Sequence, residues 1–305
     1  MEKEFYARGK ILISAEFLIL HGARALAVPL TLGQSLKRIP SADPGQLSWK
    51  AIYREQAWFE TRLDLKALAI LTTSSQDKSE NLLNMLNKLL EIEPAFAKEL
   101  ERYDVLTELE FDPHFGFGSS SSLTSLLAQW AGVDPMQLHF RISRGSGYDV
   151  ACAGANAPLT YQFINDMPVI QPVDFQPSFS DKMWLIYLGH KQDSSKSVAA
   201  FLQNYQVQSS DIEYFSQLTH QMIEAREIDE FGEIMEAHEN RLSEILQLPT
   251  LKSERFPELD GYIKSLGAWG GDFALLITPM TREKLGKYLE EKGVDTWFAY
   301  NEITL

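Results

Sequence analysis

Gly116-Phe117-Gly118-Ser119-Ser120-Ser121-Ser122 sets glycines and serines directly ahead of an amphipathic run. Leu123, Leu126, Leu127, Trp130 and Ala131 share one face at i, i+3, i+4, i+7 and i+8, and Gly132 closes the pattern. The spacing predicts a helix that begins at the serines. A helix start presents unpaired N–H groups and the positive end of its dipole, and glycines let the backbone come close to an anion. Serine hydroxyls add donors, and one of them can ligate magnesium. The segment reads as a phosphate cradle, with an ordinary turn and helix cap as the alternative. No Lys-Ser or Lys-Thr follows the second glycine, which excludes the Walker-type nucleotide loop.

A chain of 305 residues, 45% hydrophobic and 23% charged, can bury a sizeable core and is long enough for two domains. Its formal net charge of −14 argues against a nucleic-acid or anionic-membrane surface and for a specific small-molecule pocket. Cys152 is the only cysteine, so a reducing compartment and a small buried residue are expected rather than a disulfide or a nucleophile. Met1-Glu2-Lys3-Glu4 lacks a signal-peptide pattern and no apolar run reaches membrane-spanning length, so a cytoplasmic location is expected.

Hydrophobic alternation predicts strands over 5–20 and 25–32, a hairpin-like pair over 49–63, and a strand over 105–111. Leu82, Leu83, Leu86, Leu89 and Leu90 predict a long helix that stops before Pro94, and Asp134-Pro135 predicts a cap and first helical residue. Prolines at 168, 172 and 177 mark the candidate link between domains at 1–168 and 169–305. Beyond them come a strand over 183–188, amphipathic helices over 212–226 and 228–246, a strand over 273–278 and a helix over 282–292. His238 shares the apolar face of the second of these helices and reads as a hydrogen-bonded core histidine rather than a catalyst.

Three further segments accompany the Gly/Ser loop. They are Ala7-Arg8-Gly9-Lys10 continuing through Glu16 to His21-Gly22, then Gly145-Ser146-Gly147-Tyr148-Asp149-Val150-Ala151, and Lys264-Ser265-Leu266-Gly267-Ala268-Trp269-Gly270-Gly271-Asp272-Phe273. In order and separation the four segments resemble the motifs of the GHMP kinase superfamily over nearly the whole chain, nearest the mevalonate and phosphomevalonate kinase branch. The resemblance implies a two-domain α+β fold with the active site in the cleft between domains, and ATP with Mg2+ as cofactors.

By the same resemblance, Gly116, Gly118, Ser119, Ser120, Ser121 and Ser122 would hold the nucleotide phosphates, with Ser120 also on the metal. Asp149 would act as catalytic base or orienter, and Lys10 would approach the acceptor hydroxyl, where an ammonium lowers its pKa or stabilises developing charge. Glu16, His21, Gly147, Lys196, Gly267, Ala268, Trp269 and Gly270 fall at candidate substrate positions. A solvent-facing carboxylate at Glu16 and a polar surface loop over 189–196 are the alternatives there. The chain departs from the pattern in four places. Leu138, with His139 beside it, stands near the usual metal-binding glutamate; Arg8 replaces a proline; Phe17 stands where many members carry histidine; and Trp269 occupies a glycine position, either closing the pocket or touching substrate.

The expected activity is ATP-dependent phosphorylation of a small-molecule hydroxyl or phosphate. An ATP-dependent decarboxylase of the same superfamily and a catalytically silent metabolite-binding protein are the alternatives. The acceptor is not legible, since specificity lies in side chains that folding gathers, and a homodimer is left open.

Overall fold

The computed structural model describes residues 4–165, 167–189, 194–269 and 272–305. The chain runs through β1 (Glu4–Leu12), a 3-10 turn at Leu18–His21, β2 (Ala25–Pro40), β3 (Gln46–Tyr53), β4 (Gln56–Asp64), β5 (Ala69–Thr73), α1 (Gln76–Ile92), α2 (Ala97–Leu100) and β6 (Tyr103–Leu109). Then follow α3 (Ser119–Ala131), α4 (Pro135–Ile142), α5 (Tyr148–Ala153), β7 (Leu159–Ile164), β8 (Met167–Pro172), β9 (Met183–Tyr187), α6 (Ser194–Asn204) and α7 (Ser209–Glu224). The last elements are α8 (Ile228–Leu246), α9 (Leu251–Arg255), β10 (Tyr262–Ser265), β11 (Phe273–Ile277), α10 (Arg282–Glu291), β12 (Trp297–Ala299) and α11 (Tyr300–Ile303). Helices and strands interleave, as expected for an α+β chain. No described helix is long and apolar enough to cross a membrane.

Contacts divide the chain into two units, each discontinuous in sequence. The first comprises residues up to Gly9, Leu32–Pro113 and Phe117–Gly154; the second comprises Lys10–Thr31, His114–Gly116 and Ala155–Leu305. The boundary expected at 168/169 falls inside β8.

In the first unit the strand order is β5-β4-β3-β6-β2, antiparallel except for β3 beside β6. Leu47, Trp49 and Ala51 on β3 are buried with Phe59 and Leu63 on β4, the alternation that a one-sided sheet requires. Leu82, Met85, Leu86 and Leu89 of α1 and Leu126, Leu127 and Trp130 of α3 join them in one core. Each fully buried leucine there contributes about 1.5–3 kcal/mol. The Leu82 face forms α1, and the approach of Pro94 ends it at Ile92.

In the second unit the first residues of β2 pair with β7, and β7 with β8. A separate antiparallel sheet has the order β10-β11-β9-β12. Its core gathers Trp184, Ile186, Phe256, Leu276, Leu285 and Leu289.

The strands also depart from the sequence expectation. The strand expected over 5–20 stops at Leu12, because Ala15 and Phe17 both take the left-handed region at φ 62°, which no strand can continue through. Pro168 and Pro172, read as part of a link, lie in β8, hydrogen-bonded to β7 at the edge of its sheet.

Candidate active site

Gly118 starts α3 from a left-handed φ of 92°. A glycine carries no capping side chain, and the first helical bond runs from the Ser122 N–H to the Gly118 carbonyl at 2.9 Å. The amides of Ser119, Ser120 and Ser121 thus precede the ladder at the positive end of the helix dipole. Phe117, 1% exposed, packs edge-on against Phe111 with ring centroids 5.8 Å apart and fixes the loop from beneath.

The serines divide into two pairs. Ser121 and Ser122 are buried. The Ser121 hydroxyl donates to the Gly118 carbonyl at 2.9 Å, and Ser122 donates to Gln34 Oε1 at 2.7 Å with the Ser119 carbonyl at 3.1 Å. Their hydroxyls hold the turn in shape. Ser119 is half-buried and Ser120 exposed, and among the described residues neither hydroxyl has a hydrogen-bond partner. The donors open to a ligand are these two hydroxyls and the leading amides.

Asp149 lies in the first turn of α5, which packs against α3 and α4. Its carboxylate is half-buried, and Oδ1 accepts from the Val150 N–H at 3.0 Å. The preceding Gly147 is buried at φ 85°, and a Cβ there would lie 2.6 Å from Met136 Cε. Glycine at 147 thus answers to backbone conformation and close packing.

Leu138, near the position of the metal glutamate in the resemblance, is fully buried and cannot ligate. Among the described residues no group of three or more His, Cys, Asp or Glu side chains gathers into a metal site. Ser120 and Asp149 lie on helices that pack together, so they fit a magnesium ion only in part, with phosphate oxygens and water completing its shell.

In the second unit, Lys10 is half-buried near the end of β1, and its Nζ donates to the Gly116 carbonyl at 2.8 Å. A Cβ at Gly116 would lie 2.1 Å from Asp272 Oδ2, so only glycine admits that carboxylate. Asp272 itself adopts φ 46°. Phe115, one residue before Gly116, packs on Tyr187 and Phe273 at centroid distances of 4.9 and 5.2 Å.

Glu16 is 2% exposed, so its carboxylate faces neither solvent nor a ligand surface. Its Oε1 takes the ammonium of Lys264, a fully buried lysine, and Oε2 lies 3.2 Å from His238 Nε2. That same Nε2 accepts the Ala15 N–H at 2.9 Å, which makes His238 the hydrogen-bonded core histidine expected from the sequence. Next to it, Glu239 accepts from the Ser265 N–H at 3.1 Å and the Leu251 N–H at 3.3 Å. The network holds the Ala15–Phe17 turn in its left-handed conformation.

Burial pushes the Glu16 carboxyl up from an ordinary 4.5 to about 7, with Lys264 drawing it back in part. Burial likewise drives His238 well below its ordinary 6.5. A glutamate with a raised folded pKa contributes stability that is complete below pH 4.5 and lost as pH rises to about 7. Glu16→Gln cannot titrate. Relative to it, the wild type is expected to lose about 3 kcal/mol of unfolding free energy across that window, read from urea midpoints. Parallel curves would show that Glu16 titrates normally.

The remaining candidates are more scattered. His21 is exposed at the end of the 3-10 turn, its ring 6.3 Å from that of Phe201. Lys196 is exposed on α6. Gly267 takes φ 69° with open space where a Cβ would stand, Ala268 is buried and Trp269 half-buried. Gly270, Gly271 and residues 190–193 lie outside the described residues.

The structure brings the serine loop and the Asp149 turn together in one unit, and Lys10 with Gly116 and Glu16 with Lys264 in the other. The sequence alone assigns no role to Asp272, His139 or Gln34. Asp272 had a signal in the Gly-Gly-Asp run, whereas Gln34 had none.

The sequence matches no family model and no curated protein. Solved structures match closely in fold. Streptococcus pneumoniae phosphomevalonate kinase, solved with phosphomevalonate and AMPPNP, is 16% identical with a TM-score of 0.72, over 97% of this chain and 99% of that one. L. major mevalonate kinase, solved with R-mevalonate, is 16% identical with a TM-score of 0.68, over 99% and 95%. Lactococcus lactis galactokinase, solved with galactose, is 12% identical with a TM-score of 0.65, over 99% and 93%. Along essentially its whole length, this chain has the fold of the GHMP kinases.

Proposed function

We propose that this protein is an ATP-dependent small-molecule kinase of the mevalonate and phosphomevalonate kinase type, acting in the cytoplasm. The observation that carries the reading is the uncapped start of α3, with Ser119 and Ser120 hydroxyls unspent, on a helix packed against the one that bears Asp149. The leading amides and the two hydroxyls grip the phosphates of ATP. Ser120 and Asp149 would hold part of the shell of a magnesium ion, which would supply neutralising charge to the phosphates when bound.

Asp149 takes the proton of the acceptor hydroxyl as its oxygen attacks the γ-phosphorus. The bond from that phosphorus to the β–γ bridging oxygen breaks, and ADP leaves. Lys10, held by the Gly116 carbonyl, is the residue that the motif resemblance assigns to the acceptor hydroxyl, where an ammonium would favour negative charge on the attacking oxygen. A phosphomevalonate kinase of the same fold has been solved with AMPPNP, which supports ATP as the donor.

The test is ADP release with a panel of mevalonate, phosphomevalonate, homoserine and several sugars. One acceptor is expected to stimulate release well above the ATPase background. Carbon dioxide release with mevalonate diphosphate would instead identify a decarboxylase. Leu138 in place of a metal-binding carboxylate favours one other reading, a silent metabolite-binding protein. ATP binding without ADP release across the whole panel would select it.

A further inference from the structure

The turn between α4 and α5 leads directly into Asp149, and the His139 side chain touches it from beneath. Asp134 starts α4 by accepting the Met136 N–H at 3.0 Å, and His139 lies on the buried face of that helix at 6% exposure. From there Nε2 reaches the Gly145 carbonyl at 3.2 Å. A carbonyl can only accept, so Nε2 carries the hydrogen, and it does so in the neutral ring and in the imidazolium alike.

The other polar group of Gly145, its N–H, donates to the Ser143 hydroxyl at 3.0 Å. Two residues on, a Cβ at Gly147 would lie 3.1 Å from His139 Cδ2, so the imidazole also forms the floor under the left-handed residue. The Gly147 carbonyl then accepts the Ala151 N–H at 3.0 Å, which opens α5 with Asp149 in its first turn. His139 thus fixes the turn at two points, by a polar bond at 145 and by packing at 147.

The geometry points to His139 as a positioning residue that holds the turn from which Asp149 acts. The inference rests on the reading of Asp149 as the base. Leu138 and His139 together replace ligation by support: the helix that elsewhere would bring a carboxylate to the metal here braces the neighbouring turn. A displacement of about 1 Å in a catalytic group costs on the order of 100-fold in rate, so a brace at this place has a kinetic consequence.

The test uses the full chain with His139→Leu and His139→Gln. Leucine keeps an apolar body beneath Gly147 and removes the donor; glutamine restores an N–H within reach. The leucine variant is expected to lose about 10- to 100-fold in kcat with KM for ATP unchanged, and to exchange the amides of residues 145–150 faster. The glutamine variant is expected to regain most of both. His139→Asn, whose amide falls short of the carbonyl, gives the same comparison if the leucine variant does not fold.

Wild-type kcat and wild-type exchange in the donor-less variant would overturn the inference, as would equal defects in it and in the glutamine variant. Asp149→Asn in the same assay separates the two levels. Full activity there would remove the base assignment, while the exchange measurement would still decide whether His139 holds the turn.

Discussion

Asp149→Asn is expected to lower kcat by about 100- to 10,000-fold while leaving the Kd for magnesium-free ATP unchanged. Asparagine has the same shape as aspartate and keeps an oxygen to accept the Val150 N–H, a bond of 3.0 Å in the native turn. Local geometry is preserved, while basicity and the negative charge beside magnesium are lost. In the proposed reading ATP is held at the start of α3, by amides and hydroxyls the substitution does not touch. Single-turnover rates with the acceptor found in the ADP screen, together with nucleotide titration, measure the two quantities separately. Unchanged turnover would take Asp149 out of the chemistry.

Lys264→Met is expected to destabilise the protein by about 3–5 kcal/mol, a large share of the roughly 5–15 kcal/mol that holds a domain together. The ammonium is fully buried, bonded to Glu16 Oε1 and to the Ser265 carbonyl, and it also draws down the raised carboxyl of Glu239. Methionine fills similar volume but leaves two buried carboxylates without that cation. The loss is largest above pH 7, where Glu16 is ionised, and denaturant midpoints measured there report it. Adding Glu16→Gln in the same chain is expected to recover part of the loss, since it deletes the stranded charge. An unshifted midpoint in Lys264→Met would show that the pair contributes nothing net.

Local patterns made much of the architecture readable in advance. The leucine face of α1, the cap at Asp134, the hairpin of β3 and β4, and the span of α3 between Gly118 and Gly132 all follow from periodicity and caps that act over a few residues. The left-handed stretch at Ala15 and Phe17 was not readable. Its apolar letters favour a strand, and what overrides them are bonds to His238 and Lys264, more than two hundred positions away.

The four serines after Gly118 look equivalent in sequence. Which hydroxyls stay open depends in part on Gln34, 88 positions from Ser122. His139 and Lys264 gained their meaning only when folding showed what they touch. The order of the motifs was legible; the allocation of work among their side chains was not.

The two prolines of β8 also bear on what can pair with this edge of the sheet. Met167, Val169 and Ile170 leave this edge strand with exposed apolar side chains, the kind of border on which sheets of separate molecules can fuse. A proline is accommodated in a paired strand where its nitrogen faces away from the partner, so Pro168 and Pro172 strip amide donors from the outer rim. An incoming strand would find greasy side chains but an interrupted ladder, which disfavours pairing along that border.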